Sequence, residues 1–96
     1  MLGNPKYNYG DKVYFTADGE RYDGVIAIID KYGTFFNDND VSYDIYIPDK
    51  NLLWKHIREP IVLGKTGTLD SMYCSRAGVW NYIDDCSEQL LNNSNK

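Results

Sequence analysis

Three short runs of β-branched and aromatic residues, broken by glycine, aspartate and asparagine, most constrain the fold of this 96-residue chain. They are Gly10–Phe15, Gly24–Asp30 and Val41–Ile47. In the first run Val13 and Phe15 alternate with polar residues, whereas the second run is almost continuously apolar after its glycine. Alternation is typical of a half-buried strand, and a continuous apolar run is typical of a strand covered on both faces. The pattern therefore predicts the strands of a small, strongly bent barrel.

Two further strands and a turn complete the predicted barrel. Leu52–Ile57 is predicted to form the fourth strand and Ile61–Leu63 the closing strand. Arg58–Pro60, between them, indicates a single helical turn or a kink. The glycine- and threonine-rich stretch Gly64–Asp70 is interpreted as a loop or linker. The barrel is therefore expected to span residues 1–63.

The last third of the chain has a different period. From Ala77 to Leu91 the apolar residues recur at helical spacing, and Ser75 or Asp70 is the expected N-cap. The apolar stripe consists of Val79, Ile83, Cys86 and Leu90, with Trp80 and Leu91 beside it. We expect residues 64–96 to pack on the barrel as a loop and a helix within one domain, because so short a chain needs the extra burial. Alternatively, the helix mediates homodimerisation or inserts into a partner's groove, so a monomer or a homodimer is expected.

The charge of the chain is unevenly distributed. The formal net charge is −4 and the isoelectric point is near 4.7. Residues 1–50 carry nine acidic and five basic side chains, whereas residues 51–96 carry five of each. A basic footprint for nucleic acid is therefore missing. The acidic half is better suited to contact with a basic protein surface.

Enzymatic chemistry has little support in the sequence. His56 is the only histidine, and neither it nor Cys74 and Cys86 has the spacing of a catalytic or metal-binding set. The alternating acidic residues of the segment Asp38–Asp49 imitate the oxygen spacing of a calcium loop, but Tyr43 stands where the sharp turn needs glycine. We therefore predict no enzyme activity, no cofactor and no metal site.

The sequence also predicts where the chain is found. No amino-terminal apolar stretch resembles a signal peptide, and no run approaches the length of a membrane span. We therefore expect a cytoplasmic protein without membrane association. In that compartment Cys74 and Cys86 are predicted to stay reduced, and a disulfide between them is the less favoured alternative.

The first 63 residues resemble the SH3-like small barrels of the KOW and Tudor type. The resemblance rests on Gly10-Asp11-x-Val13, on Gly24-Val25-Ile26-x-Ile28, on Tyr43-Asp44-Ile45-Tyr46-Ile47, and on Leu53 with the His56-Ile57-Arg58-Glu59 turn. It implies a mainly β protein whose five-stranded bent sheet binds peptides, modified side chains or RNA along one open face. The short acidic chain with its own helical tail also looks like accessory proteins of bacteriophages and mobile elements.

These observations lead to one functional expectation. We expect a non-enzymatic protein-binding module, an acidic inhibitor or adaptor that occludes a basic, nucleic-acid-handling partner. A phage-encoded, anti-defence inhibitor acting in the host cytoplasm is its concrete form. Carboxylates would speed the encounter with a basic site, and tyrosines would supply desolvated anchors. The predicted contact residues are Tyr32, Asp38, Asp40, Tyr43, Asp44 and Tyr46.

The rival function is direct nucleic-acid binding through the face of the barrel. It would use a local basic strip that the net charge hides. The candidate residues for this strip are Lys12, Lys31, Lys55, Arg58 and Lys65.

An aromatic cage for a cationic side chain is a further alternative. Asp23 or Asp44 would supply its negative charge. Its candidate rings are Tyr7, Tyr9, Tyr14, Tyr22, Tyr32, Phe36 and Tyr46. The favoured interpretation is that these rings cover the outer face of the barrel and pack against the helix.

Overall fold

The computed structural model describes residues 3–32 and 40–94 of the chain, with side chains described as far as Gln89. Within these residues there are five strands and one long helix: β1 (Asp11–Ala17), β2 (Glu20–Asp30), β3 (Ser42–Ile47), β4 (Leu52–Arg58), β5 (Val62–Thr68) and α1 (Arg76–Ser94). Short 3-10 turns lie at Pro48–Lys50, Glu59–Ile61 and Ser71–Tyr73. Phe36 and Asp38, which take part in two of the sequence-based predictions, lie outside the described residues.

The five strands form one antiparallel sheet in the order β4-β3-β2-β1-β5. Consecutive strands from β1 to β4 are neighbours, and β5 returns to the free side of β1. The sheet is bent but not closed, so β4 and β5 are its two edges. The fold class expected from the sequence is confirmed in its elements, a mainly β chain with five strands in one bent sheet and a C-terminal helix, but the sheet does not close into the expected barrel.

Irregular pairing bends the sheet. Ala27 is an extra residue of β2 against β3, and Leu63 and Thr66 are extra residues of β5 against β1. In β4 the irregularity falls at His56, which has a φ of 61° and donates its backbone N–H to Asp44 Oδ1 at 3.0 Å. An extra residue on one strand increases the local twist and bends the strand. Together these bulges give the sheet a concave and a convex face.

The concave face encloses the main hydrophobic core. Val13 and Phe15 of β1, which the sequence pattern places inside, are 0% exposed. The remaining buried members are Ile26, Val41, Tyr43, Ile45, Ile47, Ile57 and Val62. At the edge of this cluster the rings of Tyr22 and Trp54 pack against Phe15. Burial of this apolar surface is the main stabilising contribution to the sheet.

The helix α1 packs on the convex, outer face of the sheet. Val79 and Ile83 of α1 lie against Val25 and Ala27 of β2 and against Tyr46 of β3. These strand residues alternate with those of the inner core, so their side chains point outward. The helix thus covers the middle of the sheet and leaves both of its edges uncovered by this contact.

The start of α1 follows the predicted capping. Ser75 Oγ accepts the backbone N–H of Gly78 at 2.9 Å, as an N-cap side chain does. Gly78 is needed for space, because a Cβ there would lie 2.6 Å from the carbonyl oxygen of Met72. This contact holds the 3-10 turn at Ser71–Tyr73 close against the first turn of the helix.

The start of β2 differs from the sequence-based prediction. β2 begins at Glu20, five residues before the apolar run at Val25. Asp18 and Gly19 form a two-residue turn with φ angles of 53° and 79°, which places Glu20 directly opposite Ala17. Such turns match the twist of the strands they join. The polar residues after the turn are therefore paired in the sheet.

The extent of β5 is a second difference. The stretch interpreted as a loop continues the strand to Thr68. The ring of Tyr14 lies against Gly64, where a Cβ would be 3.0 Å from Tyr14 Cε1. A glycine inside a strand often marks the close approach of another group, and that is its role here. The predicted boundary at residue 63 was therefore too early for the end of the sheet.

Candidate partner-binding surface

The two tyrosines of β3 that were predicted to make partner contacts are both buried. Tyr43 is 1% exposed on the concave face, and its hydroxyl donates to Glu59 Oε2 at 2.5 Å. Tyr46 is 2% exposed on the convex face beneath α1, and its hydroxyl donates to Asn51 Oδ1 at 2.6 Å. Burial raises the pKa of both hydroxyls. Both rings therefore act in packing, on opposite faces of the sheet.

The predicted acidic contacts also have internal partners. Both Nε and Nη2 of Arg58 donate to Asp40 Oδ2, at 3.0 and 2.8 Å. Asp44 accepts the N–H of His56 and so fixes the bulge of β4. Tyr32 is 78% exposed, and a contact role for it stays a prediction. The structure therefore does not gather the described members of the predicted set into one surface.

The rings proposed for an aromatic cage lie in separate places. Tyr7 packs edge-on to Tyr43 with ring centroids 5.7 Å apart, and Tyr22 stacks on Phe15 at 5.6 Å. Tyr9 and Tyr46 belong to the cluster beneath α1. The remaining described rings, Tyr14 and Tyr32, lie on the outer face of β1 and beside the end of β2. Tyr9 and Tyr46 therefore pack beneath the helix, as the favoured interpretation expects, whereas Tyr7 and Tyr22 pack against the concave core instead of the outer face.

A different surface lies beside the helix, on the outer face of β1, β2 and β5. We call it the open face and define it by Lys12, Tyr14, Arg21, Asp23 and Thr66. Register places Tyr14 directly opposite Asp23 and Lys12 opposite Val25, so the first two strands share this face. Its charged residues are exposed, and α1 covers only the neighbouring part of the convex face.

The centre of the open face is a stacked ion pair. The guanidinium of Arg21 lies over the ring of Tyr14, 4.1 Å from its centroid. Arg21 also donates to both carboxylate oxygens of Asp23, from Nη2 at 2.9 Å and from Nε at 3.2 Å. The hydrogen bond to Asp23 raises the pKa of Arg21. A tyrosine ring and a carboxylate thus hold one guanidinium in a fixed orientation.

A pocket of about 280 Å³ opens between the open face and α1. Its walls come from β1, β2, β5, the 3-10 turn after β3, and the helix. The residues that give the pocket its chemistry are Lys12, Asp23, Val25, Asp49, Thr66 and Tyr82. Two carboxylates and one ammonium group leave its wall with a net negative charge.

Two neighbouring elements position the helix side of the pocket. Asp49 sits in the turn Pro48–Lys50, which ends at Asn51 with a left-handed φ of 48°. Tyr82 is held edge-on by Tyr46 and by Tyr73, with ring centroids 6.4 and 5.5 Å away. Burial, followed by a hydrogen bond with Cys86, raises the pKa of Tyr82, and the nearby carboxylate of Asp49 adds to this shift. The ring and the carboxylate therefore face the same space.

Sequence reasoning missed this pocket. Asp23 appeared only as a possible partner of the aromatic cage, and Asp49 and Tyr82 were not selected. The outward positions of β1 are readable from its alternation, since Lys12 and Tyr14 alternate with the buried Val13 and Phe15. The pocket itself depends on where the helix docks, which helical spacing does not specify.

The proposed basic strip is partly neutralised by internal ion pairs. Arg58 pairs with Asp40, and Lys65 Nζ lies 3.2 Å from Asp11 Oδ1. Asp11 is 4% exposed and also accepts the N–H of Asn8 at 2.8 Å, so its carboxylate is held by two partners. Two of the five candidate cations therefore carry out structural roles.

Within residues 3–32 and 40–94, no group of three or more histidine, cysteine, aspartate or glutamate side chains could hold a metal ion. Cys74 and Cys86 are both free thiols. The described part of the chain also has no helix long and apolar enough to cross a membrane. No family model matches the chain, and neither the curated proteins nor the solved structures include a match.

Proposed function

We propose that this chain is a small, non-enzymatic protein-binding module that occludes or bridges a basic partner protein in the cytoplasm. The open face and its adjoining pocket form the contact surface. One observation carries the proposal: α1 covers the outer face of β2 and β3 but leaves a pocket of about 280 Å³ beside it, with Asp23 and Asp49 on its wall. A concave site with convergent polar groups is the usual form of a binding site.

The balance of available charge supports an acidic role. Ion pairs occupy Arg21, Arg58 and Lys65, and each pair also occupies one carboxylate, so the net charge of −4 is unchanged. Meanwhile Asp18, Glu20, Asp49, Asp84 and Glu88 are exposed. Exposed carboxylates accelerate the approach of a positively charged partner. The specific form of this proposal is a phage-encoded inhibitor whose carboxylates occupy the phosphate-binding site of a nucleic-acid-handling protein. The acidic character of the chain supports this specific form.

Charge-reversal variants test the contact surface. The immobilised full-length chain is exposed to a lysate of the source cells at low salt, and the retained proteins are identified. Asp49→Lys places a positive charge at the pocket. Asp84→Lys is the matched control, because it makes the same change of charge away from the pocket. Asp84 comes two residues after Tyr82 and is therefore about 200° from Tyr82 around the helix axis. We expect one basic protein to be retained by the wild type and by the control, and to be lost with Asp49→Lys.

Carbodiimide cross-linking then locates the contact on the purified complex. Zero-length cross-links should join Asp23 or Asp49 to lysines of the captured protein. Cross-links confined to Asp84, Asp85 or Glu88, or equal retention by both variants, would place the contact elsewhere and contradict the proposal. A midpoint of urea unfolding equal to that of the wild type establishes that each variant is folded.

Nucleic-acid binding remains the alternative function. Its support is the exposed Lys12, Lys31 and Lys55, which have no ion pair within the described residues. Fluorescence anisotropy with labelled mixed-sequence DNA and RNA at low salt separates the two functions. We expect no change in anisotropy, whereas binding that weakens steeply with added salt would favour the alternative.

A further inference from the structure

The pocket beside α1 has the chemistry of a site for one guanidinium group. We propose that it receives a single arginine side chain of the partner protein, with Asp49 as the main carboxylate and Tyr82 as the stacking ring. This inference deepens the proposed function and rests on it. It assigns a specific chemical group to the pocket, where the proposed function requires only a protein surface.

The size of the pocket favours one side chain. Its volume of about 280 Å³ is at the lower limit of pockets that bind small molecules. Val25 and Pro48 give the pocket an apolar part of its wall, which suits the aliphatic stem of a long basic residue. Only the head of such a side chain needs charged partners. An arginine meets both requirements.

The open face already shows how this protein holds a guanidinium. Arg21 stacks on Tyr14 at 4.1 Å and donates two hydrogen bonds to Asp23. The pocket repeats the two components of that arrangement, a tyrosine ring at Tyr82 and a carboxylate at Asp49. A planar guanidinium can stack and donate a fork of hydrogen bonds at the same time, which an ammonium group cannot do. A ring and a carboxylate in one pocket therefore favour arginine over lysine.

Asp49 is free to bind an incoming cation. It is exposed, and it makes no hydrogen bond or ion pair with another described residue. Asp23, which also lines the pocket, is already engaged by Arg21. Asp49 is therefore the carboxylate that an arginine would pair with first, and Asp23 adds long-range attraction. Lys12 faces the same pocket and limits the affinity for any cation.

A blocked arginine is the appropriate probe, because its backbone carries no charge. N-acetyl-arginine N-methylamide is titrated into the full-length isotope-labelled chain at low salt, and amide signals are followed by NMR. N-acetyl-citrulline N-methylamide, which has nearly the same shape without the charge, is the matched control. We expect the arginine probe to move the signals of Asp23, Val25, Thr66 and Tyr82 with millimolar affinity, and the citrulline probe to leave them in place.

A pair of variants assigns the binding to Asp49. Asp49→Asn should weaken the arginine probe by about threefold to tenfold, the range between an exposed ion pair and a charged hydrogen bond. Asp84→Asn, on the other side of α1, should leave the affinity unchanged. Equal shifts with citrulline, shifts away from the pocket, or full affinity in Asp49→Asn would each overturn the proposal. Tighter binding of free arginine than of the blocked probe would also overturn it, because the pocket would then recognise a zwitterion through Lys12.

The two proposals fail in different ways. If Asp49→Lys abolishes partner capture but the arginine probe does not bind, the protein-binding function stands and the arginine assignment falls. If the probe binds at the pocket but no partner is captured by the wild-type chain, the pocket chemistry stands and the protein-binding function falls.

Discussion

The convex face of the sheet has two halves that serve different purposes. Over β2 and β3, Val25, Ala27 and Tyr46 are buried beneath α1. Over β1 and the adjoining part of β2, the outward residues are charged or half-exposed, as at Lys12 and Tyr14. The strands are continuous across both halves, so the difference is in the side chains and not in the backbone.

This difference shows how a chain of this size can combine a stable fold with a free surface. The concave face alone encloses one cluster of apolar residues, and α1 adds a second on the outside. A helix covers only part of a five-stranded sheet, so the outward residues beyond its reach remain available for contact. The border between the two halves is where the pocket lies. The covered half should therefore govern stability, and the open half should govern binding.

The largest expected effect comes from a charge placed under the helix. Val79 is 0% exposed, and Val79→Asp would bury a carboxylate without a partner. We expect a loss of about 3 kcal/mol or more in the free energy of unfolding. Urea denaturation followed by circular dichroism measures it.

Asn81→Asp is the matched control for this variant. Asn81 lies on the same helix with its side chain exposed, so an added carboxylate there should change stability by no more than about 0.5 kcal/mol. If Val79→Asp lowered the free energy of unfolding as little as Asn81→Asp, the Val79 side of α1 would not be what holds the helix on the sheet. The convex face would then not be divided into a covered half and an open half.

The next effect is a contrast between two glycines of β5. At Gly64 a Cβ would lie 3.0 Å from Tyr14 Cε1, whereas at Gly67 the nearest atom is Lys12 Cδ at 3.6 Å, an ordinary contact. Gly64→Ala should therefore displace the Tyr14 ring and cost about 1–2 kcal/mol. Gly67→Ala should be neutral or stabilising by up to about 1 kcal/mol, because it restricts the unfolded chain.

Thermal and urea unfolding of both variants compare them directly. The Tyr14 ring also supports Arg21, so Gly64→Ala should alter the amide signals of Arg21 and Asp23 as well. Equal stability of the two variants would show that the Tyr14 ring adjusts without cost and that the open face is less rigid than its contacts indicate.

The sequence predicted the strands better than it predicted the surfaces. Alternation identified Val13 and Phe15 as core residues, and the helical period identified Val79 and Ile83 as the buried side of the helix. Both patterns follow directly from the periods of a strand and of a helix. Tyr46 is less distinctive: an outward tyrosine on a strand is equally consistent with a contact residue and with a residue beneath a helix. Only the docking position of α1 decides between the two.

The acidic residues illustrate the same limit. Asp44 and Asp49 are two aspartates only five residues apart in the sequence. In the structure Asp44 is used by the backbone of a bulge, whereas Asp49 stands exposed beside a tyrosine of the helix. At the bulge His56, a non-glycine residue, adopts a positive φ, which no local sequence pattern predicts. The candidate site therefore depended on tertiary contacts that the sequence does not encode locally.

A smaller effect concerns the alkaline stability of the covered half. Tyr46→Phe removes the hydrogen bond to Asn51, but Ser87 Oγ still donates to Asn51 Oδ1 at 2.9 Å, so the acceptor stays bonded. We expect a loss of about 1 kcal/mol at neutral pH. A urea titration at pH 7 measures it.

The pH dependence of the same variant follows from the sign of the pKa shift. Burial raises the pKa of Tyr46 in the folded chain above its unfolded value. Its contribution is therefore complete below the unfolded pKa, about 10, and is lost as the pH rises toward the folded pKa, at up to about 1.4 kcal/mol per pH unit. In Tyr46→Phe the fall in stability above pH 10 should be shallower. An unchanged slope would mean that the Tyr46 hydroxyl is not kept protonated by burial under α1.

The smallest effect on stability is expected at Asp49, the residue with the largest expected role in binding. Asp49 is exposed and has no hydrogen bond to another described residue, so Asp49→Asn should change the free energy of unfolding by less than about 0.5 kcal/mol. Val79→Asp and Asp49→Asn then form opposite extremes. The first should cost the most stability, and the second should leave stability nearly unchanged while weakening partner retention. If Asp49→Asn destabilised the chain as much as Tyr46→Phe does, its carboxylate would be part of the covered half. The pocket would then be a packing defect, and the main observation that supports the open face as a contact surface would be removed.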